Sequence, residues 1–446
     1  MSFFAQETRS LSRLTLPILA TQLAQVGMGT VDTLMSGHIS TEDLAAVAIG
    51  TSLWMPVWLF VSGVLVALSP LASALNAGQR HSELPKLLAA GMYTGIGLGI
   101  LAALVLLGGS FVLESQIADE KTAFIAANYT RAIAVGMPFA GLFLAYRLYA
   151  EALNQPFHVT RIMLAGLVMN IPANGLFIYG WFGMPELGGI GCGIGSSLVF
   201  IGMTLALALN THKHRIPKGY PIWQEVRHPL PNHVRDIIKI GIPIGVAIFF
   251  EVSLFVVIAL FLARLGPVVV AGHQVALNLA SLTFMIPLSI GMALTVRVSY
   301  WRGKGEVLLA KKTAWLGIRI NLVLALVNAC FMVIFASHIA ALYSPDAQVI
   351  ALASALLLYA ALFQLSDAVQ VAAAGALRAY HDTFAVMLIT FFAYWFVGLG
   401  GGYYLAYLAP TPMGAQGFWT GLILGLTVAA ILLGLRLRKV SQRALA

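Results

Sequence analysis

Three acidic residues of this 446-residue chain stand inside long apolar runs. They are Asp32 in Val31-Asp32-Thr33-Leu34-Met35-Ser36-Gly37, Glu251 after Phe249-Phe250, and Asp367 in Gln364-Leu365-Ser366-Asp367-Ala368-Val369-Gln370. The run 240–263 around Glu251 carries no other charge; Asp236 and Lys239 precede it and Arg264 follows it. A helix rises about 1.5 Å per residue and a bilayer's hydrocarbon core is about 30 Å thick, so Glu251 falls near the midplane. An ionised carboxylate there costs roughly 2.5 kcal/mol or more, and residues that carry this cost mark ion or substrate paths. No basic residue lies deep in any expected span to neutralise it. The chemistry open to such a group is reversible capture of positive charge. Bare and ionised it is unstable; with a proton, a sodium ion or an organic cation bound it is stable. Two ligands that compete for the same acids, or favour opposite-facing states, let one gradient drive the other ligand's movement.

Polar residues recur at helical spacing near these acids. Gln25 and Asp32 are seven apart, Asn170 and Asn174 four apart, and Gln364, Asp367 and Gln370 step by three. Gln274, Asn278 and Ser281 step by four and three, so each set shares a helix face. Lipid penalises polar faces, which are therefore expected to turn inward to a cavity. A plainer reading stands beside each. The acids could make interhelical hydrogen bonds, and Asn170 and Asn174 could equally be interhelical glue or ligands. His273 is either a proton acceptor near the outer face or a satisfied interfacial histidine.

The elements that must hold these residues are membrane helices. Hydrophobic residues make up 59% of the chain and charged residues 10%, against about 25% charged in soluble domains. Twelve apolar runs, at 14–36, 47–73, 88–112, 124–146, 160–180, 189–210, 237–263, 270–296, 313–336, 348–376, 384–407 and 414–436, are each long enough to cross as a helix. Their apolarity is uninterrupted and not alternating, which excludes barrel strands. Most of the 26 Lys and Arg residues, among them Arg9, Arg80, Arg147, Arg297, Arg378 and Arg436, fall on one side of these spans. Glu42, Asp43, Glu114, Asp119, Glu120, Glu186 and Asp346 fall on the other. By the positive-inside rule both termini and the 211–236 stretch are cytoplasmic. The net charge of +9 is then a matter of topology, and nucleic acid is excluded as a partner. Cys192 and Cys330 lie in apolar runs and read as small packing residues, with no disulfide framework or cysteine metal site. No GxxxxGK(S/T), HExxH or GxSxG pattern occurs, so neither ATP hydrolysis nor an intramembrane protease or lipase is expected, and the chain reads as no enzyme.

The halves repeat. Leu16-Pro17-Ile18 matches Ile242-Pro243-Ile244, the stretch from Ala46 to Gly78 matches that from Ala271 to Gly303, and Glu151-Ala152-Leu153 resembles Gly375-Ala376-Leu377, all about 225 residues apart. Six helices per half is an even number, so both halves enter from the same side. The expected fold is an all-α integral membrane protein of twelve transmembrane helices in two six-helix lobes, 1–210 and 237–446, related by a pseudo-two-fold along the membrane normal. A cytoplasmic linker, 211–236, joins them. Glu251 aligns with Gln25 and Asp32 with an apolar position, so the lobes are expected to share architecture but not chemistry.

Taken together, Val31 to Gly37, Phe249-Phe250-Glu251-Val252-Ser253, Ala271-Gly272-His273-Gln274, Pro185 to Gly193 and Asp367 to Gly375 resemble the multidrug and toxic compound extrusion family in its bacterial NorM-like branch. The resemblance covers essentially the whole chain. It implies an antiporter of the bacterial cytoplasmic membrane, acting as a monomer, that exports cationic amphipathic drugs and dyes by alternating access against Na+ or H+, with no cofactor. It places the coupling carboxylates, and the Na+ ligands if sodium is used, on Glu251 and Asp367. A first-lobe site falls on Asp32 with Asn170, Asn174 and Ser196, where a threonine is common in relatives. Some relatives carry an aspartate where Asn174 stands, so this chain has one charge fewer there. Gln25, Gln274, Asn278 and His273 complete the candidate polar residues. The alternative within the same superfamily is a flippase for lipid-linked saccharides, which calls for basic residues inside the cleft; the deep charges here are acidic.

Overall fold

The computed structural model describes residues 3–214, 225 and 231–445. Among these residues there is no strand, and twelve helices are long and apolar enough to cross a membrane. They are α1 (Phe3–Gly37), α2 (Thr41–Ala77), α3 (Glu83–Gln116), α4 (Glu120–Ala152), α5 (Pro156–Ile178) and α6 (Gly189–Lys213), followed by α7 (Pro231–Ala263), α8 (Pro267–Gly303), α9 (Val307–Tyr343), α10 (Ala347–Ala379), α11 (Thr383–Leu408) and α12 (Ala415–Arg443). Each expected span is matched by one helix. Most helices run past the apolar stretch, because polar ends continue the turn beyond the hydrocarbon. The expected linker 211–236 lies largely outside the described residues.

The helix starts carry local signals. Ser40 caps α2 by accepting from the Asp43 amide at 3.0 Å, Asp119 caps α4 through Thr122, and Asp346 caps α10 through Gln348. Pro156 and Pro267 occupy the first turns of α5 and α8, where a missing N–H leaves nothing unpaired. Asp43 also closes a second helix end: its Oδ1 accepts from the Gly189 amide at 2.6 Å, at the first turn of α6.

By contacts the chain divides into two compact units, Leu16–Gly245 and Met1–Thr15 with Val246–Ala446. The divisions fall inside α1 and α7, next to Pro17 and Pro243. In the first unit α4 is central and packs against α2, α3 and α6; in the second α10 is central and packs against α8, α9 and α12. The repeat aligns α4 with α10. Backbones approach closely at these crossings, since lipid offers helices no hydrophobic drive and packing must supply the attraction. A Cβ at Gly375 would lie 2.4 Å from the Gly291 carbonyl oxygen, so α8 reaches α10 only at glycine, and Thr295 seals the contact by donating to the Gly375 carbonyl at 2.8 Å.

Besides Asp43, two further acids that the sequence places outside the apolar spans are buried. In the second unit Glu7 accepts two hydrogen bonds from Arg297, at 2.8 and 2.7 Å, with the guanidinium over the Tyr300 and Trp301 rings. In the first, Glu151 accepts from Arg147 at 2.9 Å. Each carboxylate tolerates burial because a guanidinium goes in with it. The structure also departs from a plain helix in α11, where π-helical turns span Phe392–Gly400 and Tyr404–Leu408. Such wide turns recur at functional sites.

Candidate functional site

In the first unit, α1, α5 and α6 converge on Asp32. Its Oδ1 accepts from the Asn174 amide at 2.6 Å and the Asn170 amide at 3.1 Å, and its Oδ2 accepts from the Ser196 hydroxyl at 2.9 Å. Asn170 and Asn174 are 1% and 0% exposed, one turn apart on α5, so both amides reach the same oxygen. Resident donors therefore satisfy both carboxyl oxygens. One acceptor is left over: Asn174 Oδ1 is buried without a partner. It abuts α6 at Gly195, where a Cβ would lie 2.4 Å from it, so only glycine lets α6 pass.

In the second unit the carboxylates come from α7 and α10. Asp367 is 1% exposed, and its Oδ2 has no hydrogen-bond partner. Glu251 lies within electrostatic reach of it and makes no ion pair among the described residues. Two more groups face the pair. Tyr394, on the first wide turn of α11, is buried with an unpartnered hydroxyl and feels both carboxylates. Arg378, in the last turn of α10, has a guanidinium within electrostatic reach of Glu251 but outside ion-pair range. This corrects the expectation that no basic group nears Glu251: a long side chain carries the charge inward from the helix end. Glu251 is placed by its neighbour. Phe250 packs against Phe391, tilted, at 4.5 Å between ring centres, and its carbonyl accepts from Trp395 Nε1 at 3.3 Å, which fixes α7 against α11.

The surroundings of Asp367 are rich in unused oxygen. Gln364 donates to the Ala280 carbonyl and Thr283, while its Oε1 is left without a donor. Gln370 Oε1 and Asn321 Oδ1 are likewise buried and unpartnered. Two buried carboxylates close enough to repel, one with an unpartnered oxygen, are an arrangement that a cation or proton can satisfy.

The other sequence candidates fall elsewhere. Gln25 accepts from Arg147, at 3.4 Å, and so belongs to the Arg147–Glu151 network with Gln22. Gln274 and Asn278 sit on an exposed face of α8. His273 is fully buried, with both ring nitrogens unpartnered and its edge toward Trp419, 5.8 Å between centres. Sequence reasoning missed Arg378, Tyr394 and the Cys192 thiol, which lies beside Asp32. The signal for Cys192 was available, since it stands four residues before Ser196 and so on the same face of α6.

A model of the MatE family matches residues 17–176 and 243–404, one segment in each half. The chain is 42% identical to the multidrug resistance protein MdtK of Yersinia pseudotuberculosis, over 98% of this chain and 96% of that one. It is also 42% identical to the probable multidrug resistance protein NorM of Shewanella oneidensis, over 98% and 95%. Among solved structures, the eukaryotic MATE transporter AtDTX14 shares the fold with a TM-score of 0.87 at 20% identity, covering 99% of each chain. A MOP superfamily transporter from Pyrococcus furiosus does so with a TM-score of 0.88 at 19% identity, covering 99% and 97%. With helices, repeat and matched segments in agreement, the chain belongs to the MatE family of multidrug and toxic compound extrusion transporters.

Proposed function

We propose that this protein is a secondary exporter of cationic, amphipathic organic compounds in the bacterial cytoplasmic membrane, driven by entry of Na+ or H+. The observation that carries the reading is Asp367: a buried carboxylate with an oxygen left bare, beside a second carboxylate, on membrane helices. The multidrug resistance relatives support the substrate class. With both carboxyls ionised, Glu251 and Asp367 set two negative charges against the one positive charge of Arg378, so a single monovalent cation or proton completes the balance. An organic cation completes it equally well, and the two ligands therefore exclude one another. Binding of the inorganic ion releases the drug, and the ion-bound protein returns to the state that loads drug from the cell side. Asp32 already rests on three donors, which supports the second-unit pair as the exchange site.

The test is reconstitution in liposomes with a fluorescent cationic dye, under a sodium gradient or a pH gradient applied separately. One of them is expected to drive dye transport and so to identify the coupling ion. If neither moves dye above the protein-free background, the antiport reading is wrong.

A further inference from the structure

In the second unit α9 and α12 both pack on α10 but hardly touch one another. The gap between them is a groove of about 490 Å³, with Trp315 of α9, Leu365 and Val369 of α10, and Ile431, Leu435 and Arg438 of α12 on its walls. Ser366 and Thr427, which also line it, bond to each other at 2.8 Å and ask nothing of an occupant. The α12 wall runs from Thr427 to Arg438, about 16 Å of helix, close to half of a hydrocarbon core and so to the depth of one leaflet. Gly434 keeps this wall open, since a Cβ there would meet nothing within 4 Å.

The charge at the end of the groove selects the occupant. Arg438 is exposed and forms no ion pair among the described residues, whereas Arg436 is held by Asp382 at 2.6 and 3.0 Å. Lys439 follows it, and Lys311 and Lys312 stand one turn before Trp315. A cationic cargo is repelled by this end, and a second copy of the chain would have to bury Arg438 uncompensated. An apolar slot one leaflet deep that ends in free basic charge fits an anionic lipid. We propose that the groove holds one acyl chain of an anionic glycerophospholipid, with its phosphate on Arg438. The inference is independent of what the protein transports.

Native mass spectrometry of the full chain, released from detergent with chain-matched phosphatidylglycerol or phosphatidylcholine, tests it. The wild type is expected to retain one phosphatidylglycerol in preference to phosphatidylcholine. Arg438→Gln should reduce that preference about fivefold, the effect of one basic residue near an anionic surface. Gly434→Leu fills open space and should weaken retention of both lipids about tenfold. Unchanged retention in both variants overturns the proposal, as does a wild-type dimer that Gly434→Leu converts to monomer. Independently of either variant, phosphatidylglycerol with a diazirine in its acyl chain should label wild-type protein within 365–369 or 427–438; labelling confined to other segments also overturns it.

Discussion

The two units place a guanidinium against the same position of their first long helix and arrive at opposite charge balances. In the first unit that position is Gln25, and Arg147 reaches it from the central helix with its own carboxylate, Glu151, beside it. In the second it is Glu251, and Arg378 from the central helix comes within its electrostatic reach and forms no ion pair among the described residues. The acids differ in the same sense. Asp32 accepts three hydrogen bonds, while Asp367 leaves Oδ2 bare. The repeat thus duplicates helices, caps and crossings and leaves the chemistry unduplicated. One unit satisfies its acid with resident donors, and the other leaves an oxygen of its acid without a partner.

The change that breaks this contrast most directly is Glu251→Gln, which removes one of the two carboxylates proposed to balance the cation. Gradient-driven dye export should fall about 100-fold, to background, with folding and membrane insertion intact by size-exclusion profile. Asp367→Asn should do the same. A Glu251→Gln variant that exports normally would remove the second unit's claim to coupling. Next in size is Arg378→Gln. With two negative charges uncompensated, the pair should bind its coupling cation more tightly, half-saturating at about tenfold lower concentration, and export should slow because release is harder. A shift to weaker binding would show that Arg378 does not act on the pair through its charge.

The first unit offers the converse experiment. Asn174→Asp replaces an amide that donates to Asp32, and whose own oxygen already lacks a partner, with a second carboxylate. The site should then resemble the second unit's and acquire a cation requirement. Thermal unfolding in detergent should occur at lower temperature than for the wild type in choline chloride and recover when sodium replaces choline. Asp32→Asn, in contrast, should cost roughly 1–2 kcal/mol through misplaced interhelical bonds and reduce export less than Glu251→Gln does. Equal loss from Asp32→Asn would place coupling in both units.

How much of this was legible follows from what one-dimensional spacing records. Glu251, Asp367 and Asp32 were visible because an acid among apolar residues has no solvent of its own, and Asn170 and Asn174 because one turn separates them. The twelve helices were visible as unbroken apolar runs. Arg378 was not, since a helix-end residue counts with its loop while its side chain spans several ångströms inward. Tyr394 was hidden by the wide turns of α11, which change the angle per residue on which face assignments rest. Arg147 and Glu151 show the helical spacing of an ion pair, yet their burial depends on Gln22 and Gln25 arriving from α1, and no local pattern announces a partner more than a hundred residues away.

The smallest expected effect concerns what the two units share. Asp119 and Asp346 cap the two central helices, α4 and α10, at aligned positions. Asp119 Oδ2 accepts from the Thr122 hydroxyl at 2.5 Å and the Thr122 amide at 2.8 Å. The hydroxyl first, and then the amide, hold its carboxyl below its ordinary value of 3.8. A carboxyl lowered on folding stabilises the fold at pH values above its unfolded value, and the contribution fades as pH falls through the lowered one. Asp119→Ala should therefore melt at a lower temperature than the wild type at pH 7, with the gap narrowing as the pH is taken below the ordinary carboxylate range. Because the cap belongs to the duplicated scaffold and not to the exchange site, dye export per folded molecule should stay unchanged. A gap that persists undiminished in acid would mean that Asp119 stabilises α4 by packing, and a loss of export would extend the coupling machinery to a helix end that the contrast between the units excludes.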